Sequence, residues 1–182
     1  MYPALFRYHR PDSVQAAAEL LSQFGDRARI MAGSQSVIPM IKLRMREASE
    51  LVDIGRIPDL SSMKLNDSVL NIGALTIHAL IAESEDARKV PLIAEAASGI
   101  ADWQIRSMGT IGGGLIVADS IGCWPTSLLT AYIKVQVIGP QGSRSIAKRN
   151  GIWGRLAYYM MREQVPIKQG NNAKTRTWFR SE

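Results

Sequence analysis

The sequence predicts an α+β fold in two lobes, and three observations carry that prediction. Short apolar runs of strand length alternate with capped segments of helical period. The stretch Ile57-Pro58-Asp59-Leu60 has hinge composition and separates two such sets. Each set contains one segment rich in glycine and small hydroxyl residues, at positions 32–36 and 109–114.

The first lobe is assigned to residues 1–56. Arg10-Pro11-Asp12-Ser13, followed by VQAAAELLSQF and Gly25, predicts a capped helix. Asp12 or Ser13 accepts from the first free N–H groups, and Gly25 suits the left-handed position after the last turn. Ala17, Leu20, Leu21 and Phe24 form its apolar face. Residues 28–32 predict a short buried strand that runs into Ala32-Gly33-Ser34-Gln35-Ser36. Residues 37–45 have helix-compatible spacing, with Pro39 tolerated only in the first turn. Residues 51–54 form a second strand, ended by Gly55, which makes this lobe βαβ-like.

The second lobe is assigned to residues 57–146. Residues 69–72 predict a strand, and Thr76 is the expected cap of a helix that buries Leu80 and Ile81. Pro91 opens the amphipathic LIAEAASGIA. The polar residues 102–108 lead into Gly109-Thr110-Ile111-Gly112-Gly113-Gly114, expected as a loop. A helix over 125–132 precedes strands at 134–138 and 143–146, joined by Gly139-Pro140-Gln141-Gly142. Residues 147–182 lose these patterns and form a divergent basic tail.

Composition narrows the function classes. With 46% apolar and 21% charged residues among 182, the chain is of ordinary globular type. It has no apolar run of membrane-spanning length, and its N-terminus has the wrong order of charge and apolarity for a secretory signal; the cytoplasm is the expected location. The lone Cys123 excludes an internal disulfide or a four-thiolate cluster built by this chain. His9 and His78 lack metal-ligand spacing, so no metal is expected. Residues 147–182 hold eight of the 22 basic and two of the 16 acidic residues, leaving fourteen of each in the body. A nucleic-acid reading rests on that tail alone and is disfavoured, because the tail has no motif.

The glycine-rich segments carry the chemistry. Without a Cβ the backbone closely approaches a ligand, and successive N–H groups can converge on an anion. Ser34, Ser36 and Thr110 add hydroxyl donors. No GxxxxGK[ST] occurs, and no G-x-G-x-x-G follows a first strand, which disfavours a P-loop or a Rossmann site. Each segment is either a tight turn or half of one pyrophosphate site between the lobes. Arg106, just before the second segment, either pairs with phosphate or makes a structural ion pair. Cys123 and His78 fit structural roles better than reactive ones.

The stretches FRYHRPDSVQAAAELL, RIMAGSQSVIPMIKLR, LVDIGRIPDL, NIGALTIHALIAES, PLIAEAASGIADWQIRSMGTIGGGL and ADSIGCWPTSLL give the chain a resemblance. In collinear order it resembles the FAD-binding medium subunit of the molybdenum hydroxylases, the group with aerobic carbon monoxide dehydrogenase and xanthine dehydrogenase. The resemblance implies a two-lobed FAD-binding fold of the PCMH (vanillyl-alcohol oxidase-like) type, lacking the usual C-terminal domain. It places Ala32, Gly33, Ser34, Gln35, Ser36 and Val37 around the FAD pyrophosphate. It brings Thr110, Ile111, Gly112, Gly113 and Gly114 from the second lobe, with Asp119 as a ribose or polar partner. It implies an oxidoreductase subunit with no catalytic side chain of its own, because the flavin ring carries the electrons. Its implied partners are an iron–sulfur small subunit and a molybdenum-cofactor large subunit, with an external final acceptor.

Three departures stand out. Ser34 replaces a usual second glycine, and Val117 and Cys123 stand where the family often has His and Asp. The third is the end: the tail is expected to be a shifted reading frame or disrupted gene end, which would make the chain a truncated subunit. The alternative class is a non-catalytic fragment or assembly module that does not retain FAD; a stand-alone flavin oxidoreductase would need its own substrate domain.

Overall fold

A computed structural model describes residues 2–45, 48–67, 69–117, 122–130 and 133–147. The first three strands, β1 (Arg7–His9), β2 (Ala28–Met31) and β3 (Glu50–Asp53), form a parallel sheet in the order β1-β3-β2. Register pairs Arg7 and Ala28 with Glu50 at one end, and His9 and Met31 with Val52 and Asp53 at the other. Helix α1 (Val14–Phe24) crosses this sheet because Ser13 Oγ accepts from the Ala16 N–H at 3.2 Å and Gly25 turns the chain at φ 53°. Its Ala17 packs with Ala28, Val52 and Ile57, and Val14, Leu20, Leu21, Phe24 and Leu60 close this first apolar cluster.

Helix α2 (Val37–Lys42) is shorter than the 37–45 expected from apolar spacing. The chain leaves it at Arg44, which takes a left-handed φ of 56°. Strand β1 was not foreseen from the sequence. Only three residues long, it shows no alternation of burial; its Arg7 and Tyr8 side chains are exposed and its backbone is what pairs.

In the second half, β4 (Met63–Asn66) and β5 (Val69–Ile72) form an antiparallel pair. Helices α3 (His78–Glu83), α4 (Glu85–Arg88), α5 (Pro91–Ser98) and α6 (Trp103–Arg106) follow, then α7 (Ile111–Val117), α8 (Cys123–Thr130) and the hairpin β6 (Lys134–Gly139) and β7 (Gly142–Ala147). Ile81, Ala87, Ile93, Ala97, Ile111, Leu115, Trp124 and Leu128 make a second apolar cluster, with Val135, Val137 and Ile146 of the hairpin against it. The hairpin also reaches the first half, where Gln15 Nε2 donates to the Pro140 carbonyl at 3.4 Å.

Two local expectations change. Ile77, not Thr76, precedes α3; Thr76 is fully buried and its hydroxyl donates instead to the Ser62 carbonyl at 3.3 Å. Leu80 lies on the solvent side of α3 and Ile81 on the buried side. The polar stretch 102–108 contains a helical turn, capped by Asp102 Oδ1 accepting from the Ile105 N–H at 2.8 Å. Among the described residues no helix is long and apolar enough to cross a membrane.

Candidate functional site

The first glycine-rich segment leaves β2 at the carboxyl end of the parallel sheet, the end where open α/β sheets place their ligands. Ala32 to Ser36 form the connection into α2, and Val37 begins that helix. Ser34 has φ 64°. Its carbonyl accepts from the Ile38 N–H at 3.2 Å and the Ser36 carbonyl from Met40 at 3.1 Å, so the turn is wound before α2 starts. The side chains fold back on the same loop: Gln35 Nε2 donates to the Gly33 carbonyl at 2.9 Å, and Ser34 Oγ to Ala32 at 3.4 Å. Among the described residues, nothing accepts from the five backbone N–H groups of Gly33, Ser34, Gln35, Ser36 and Val37.

The second segment is built differently. Gly112, Gly113 and Gly114 lie inside α7, where a loop was expected. Glycine is poor in a helix interior, so close contact must require it there. A Cβ on Gly112 would sit 2.7 Å from the Ala74 carbonyl oxygen, and one on Gly114 would sit 2.8 Å from Trp124 Cδ1. Five of the six N–H groups of this segment are spoken for, and among the described residues only that of Thr110 has no acceptor. Ile111 donates to Thr76 O at 3.1 Å, Gly112 to Ala74 O at 2.9 Å, Gly113 to Thr110 Oγ1 at 3.2 Å and Gly114 to Thr110 O at 3.0 Å. Thr110, buried beside Ile77 in an isolated bridge, caps α7 with its own hydroxyl.

The two segments meet. A Cβ on Gly33 would lie 2.0 Å from the Met108 carbonyl oxygen and 2.9 Å from Gly109 Cα. Gly33 therefore closes directly on the residues that lead into Thr110. Behind this junction lies His78, whose backbone N–H donates to the Gly109 carbonyl at 3.0 Å. The Trp124 indole N–H donates to His78 Nδ1 at 3.2 Å, and burial pushes the His78 pKa down to about 4, so the ring is neutral.

Arg106 makes no structural ion pair among the described residues. Its guanidinium donates to the carbonyls of Ile100 and Ala101 at 2.7 and 2.8 Å, holding Ala101 in a left-handed conformation. Val117 is exposed at the end of α7 and Cys123 opens α8, half-buried. Asp119 lies outside the described residues. The sequence offered no signal for Met108, which contributes through its carbonyl, or for the His78–Trp124 pair, whose members are far apart in the chain.

At the opposite end of the sheet, buried Glu50 accepts from Arg7 and lies 2.7 Å from His9 Nε2. Arg7, then His9, holds its pKa below the ordinary glutamate value. Tyr8 OH donates to Asp53, which raises the tyrosine pKa. These contacts tie strands together. Among the described residues no three His, Cys, Asp or Glu side chains gather as a metal site.

Residues 4–150 match the family model described as the FAD-binding domain in molybdopterin dehydrogenase. The chain is 44% identical over 149 residues to the 6-hydroxypseudooxynicotine dehydrogenase complex subunit alpha of Paenarthrobacter nicotinovorans, covering 80% of this chain and 50% of that one. It is 39% identical over 169 residues to the carbon monoxide dehydrogenase medium chain of Hydrogenophaga pseudoflava, covering 92% and 59%. Among solved structures it superposes on the carbon monoxide dehydrogenase of Hydrogenophaga pseudoflava that lacks the Mo-pyranopterin moiety of its molybdenum cofactor. That match has a TM-score of 0.78 at 38% identity, over 81% of this chain and 52% of that one. Quinoline 2-oxidoreductase of Pseudomonas putida 86 gives a TM-score of 0.77 at 28% identity over the same shares. The chain spans about half the length of the curated relatives it matches.

Proposed function

The chain belongs to the family of FAD-binding domains of molybdopterin dehydrogenases, with their two-lobed PCMH-type fold, and from that premise we propose that it holds FAD at the junction of its two glycine-rich segments. Its role is that of the medium subunit of a molybdenum hydroxylase complex. Residues 1–56 and 57–146 act as the two FAD-facing lobes, a division supported by the two separate apolar clusters, although Ile57 and Leu60 pack with the first and move its edge to about residue 60. Of the basic tail expected over 147–182, Ala147 ends β7 and the remainder lies outside the described residues.

The observation that carries this reading is the run of five uncommitted N–H groups from Gly33 to Val37, at the carboxyl end of a parallel sheet and walled by Met108 and Gly109. A pyrophosphate is the ligand that such a run fits: it is anionic, rich in acceptors, and satisfied by backbone donors with no cationic side chain. Gly33 to Val37 hold the anion. Thr110 to Gly114 supply the opposite wall, a surface whose glycines keep α7 close to Ala74 and Trp124. Asp119 is the proposed ribose or polar partner. When bound, the flavin supplies a centre that accepts and passes on electrons. The protein binds and orients it, and no side chain here moves a proton in the reaction.

Electrons would come from an iron–sulfur partner, itself fed by a molybdenum-cofactor partner, and would leave to an external acceptor. The names of the relatives support membership in such complexes: the Hydrogenophaga protein is a medium chain and the Paenarthrobacter protein a subunit alpha of a dehydrogenase complex. The single cysteine fits a chain that builds no iron–sulfur centre itself. The test is to mix the purified full chain with FAD, desalt, and record the visible spectrum. Retained flavin absorbance that Gly33→Ala abolishes is the expected result. A colourless wild-type protein would defeat the cofactor assignment.

A further inference from the structure

His78 is the one buried imidazole among the described residues, and FAD binding as proposed above gives it no role. It is 5% exposed. Because indole is only a donor, the bond from Trp124 Nε1 fixes Nδ1 as the acceptor and places the ring proton on Nε2. The two rings are tilted at 45° with centroids 5.8 Å apart. The Nε2 edge then bears on Gly109: a Cβ there would lie 2.9 Å from both Cδ2 and Nε2. The main chain of His78 grips the same residue through its N–H bond to the Gly109 carbonyl. Gly109 and Met108 in turn are what Gly33 closes against. Trp124, at the far side, also fills the space next to Gly114. A continuous line of contact therefore runs from α8 through His78 to the first loop.

We infer that His78 is a positioning residue: its ring, locked by Trp124, sets the height at which Met108 and Gly109 meet Gly33 and so fixes the opening of the N–H run on the first loop. This rests on the FAD reading only for its effect on affinity. The effect on the loop is a property of the ligand-free chain. The ring must also stay neutral, since a protonated Nδ1 would present a donor to the donor of Trp124. Burial keeps it so, with no charged group contributing.

The test uses the full chain as wild type, His78→Phe, His78→Asn and Trp124→Phe. Phe fills the space without an acceptor, whereas the Asn amide oxygen restores one near the Nδ1 position. In ligand-free protein, hydrogen exchange at the Gly109 and Ile111 amides should rise about tenfold in His78→Phe, the size of one net hydrogen bond, and rise less in His78→Asn, which keeps an acceptor for Trp124 but not the ring edge against Gly109. Exchange in β3 should stay unchanged. FAD affinity, from flavin absorbance titration, should follow the same order. Should His78→Phe not fold, Trp124→Phe removes the donor together with part of the indole volume and should open the same two amides.

Unchanged exchange at Gly109 and Ile111 in both Phe variants would overturn the inference. So would equal loosening in His78→Asn and His78→Phe, because the hydrogen bond would then not be the device. If the wild type takes up no FAD, the FAD reading falls while the exchange comparison still decides the role of His78.

Discussion

The two glycine-rich segments look like equivalents in the sequence and are opposites in the structure. The first leaves five consecutive N–H groups without an acceptor among the described residues, and it contains one glycine and a serine at φ 64°. The second has four glycines, yet its N–H groups from Ile111 to Gly114 are all bonded within the chain. Glycine density thus marks close packing in one segment, while donor availability marks the other. A cradle for an anion needs uncommitted donors; a wall needs only to come near. On the proposed FAD reading, most of the backbone donors would lie on the first loop, with the Thr110 N–H alone left on the second, whose main part would be the shape of the site.

The largest effect should come from Gly33→Ala, which attacks the contact joining the two segments. A Cβ placed 2.0 Å from the Met108 carbonyl must push one backbone away from the other. Overpacking against rigid backbone costs about 3 kcal/mol, at the upper end for such changes. Chemical denaturation should show that loss, and FAD retention should vanish with it. A Gly33→Ala protein of wild-type stability would break the claim that the segments touch.

Acidification should separate the halves. The folded pKa of His78 lies near 4, below its ordinary 6.5, so the unfolded chain takes the proton first. Its contribution is complete above about 6.5 and is lost as pH falls towards 4. Glu50 is held below its ordinary 4.5 by Arg7 and then His9, so its contribution survives down to that pH and fades below it. Exchange protection at α3 amides should therefore weaken before protection at β3 as pH drops from 7 to 4. Simultaneous loss would show that the two apolar clusters do not respond separately.

Ser34→Gly should have the smallest effect, and of opposite sign. A non-glycine residue in the left-handed region costs about 1 kcal/mol, which glycine relieves. Part of that gain is offset by the greater freedom of glycine in the unfolded chain. A rise in stability of up to about 1 kcal/mol, with FAD binding kept or tightened, is the expected outcome. A loss of affinity would mean that the serine hydroxyl, now turned to Ala32, is itself a ligand group.

The sequence made the strong elements legible. Ser13 and Gly25 bracket α1, Pro91 opens α5, and the turn of Pro140 and Gln141 joins β6 to β7, because each is a local signal from caps and turn residues. Two of the unforeseen elements answer to distant partners. Strand β1 exists because its backbone pairs with β3, some forty residues on, and α7 is helical despite three glycines because Ala74 and Trp124 leave no room for a Cβ. Propensity alone argued for a loop there, and tertiary contact overrode it. The positions of the two glycine-rich segments of the proposed site are plain in the chain. Which of them has donors to spare is not, since that depends on where Ala74, Thr76 and Thr110 place their oxygens.

The most direct test of the asymmetry is an amide-resolved NMR titration of the full chain with FAD. Large shifts confined, within the two segments, to the N–H groups of Gly33 to Val37, with those of Ile111 to Gly114 moving little, are the predicted result. Strong shifts at Ile111 to Gly114 with none at Gly33 to Val37 would contradict it.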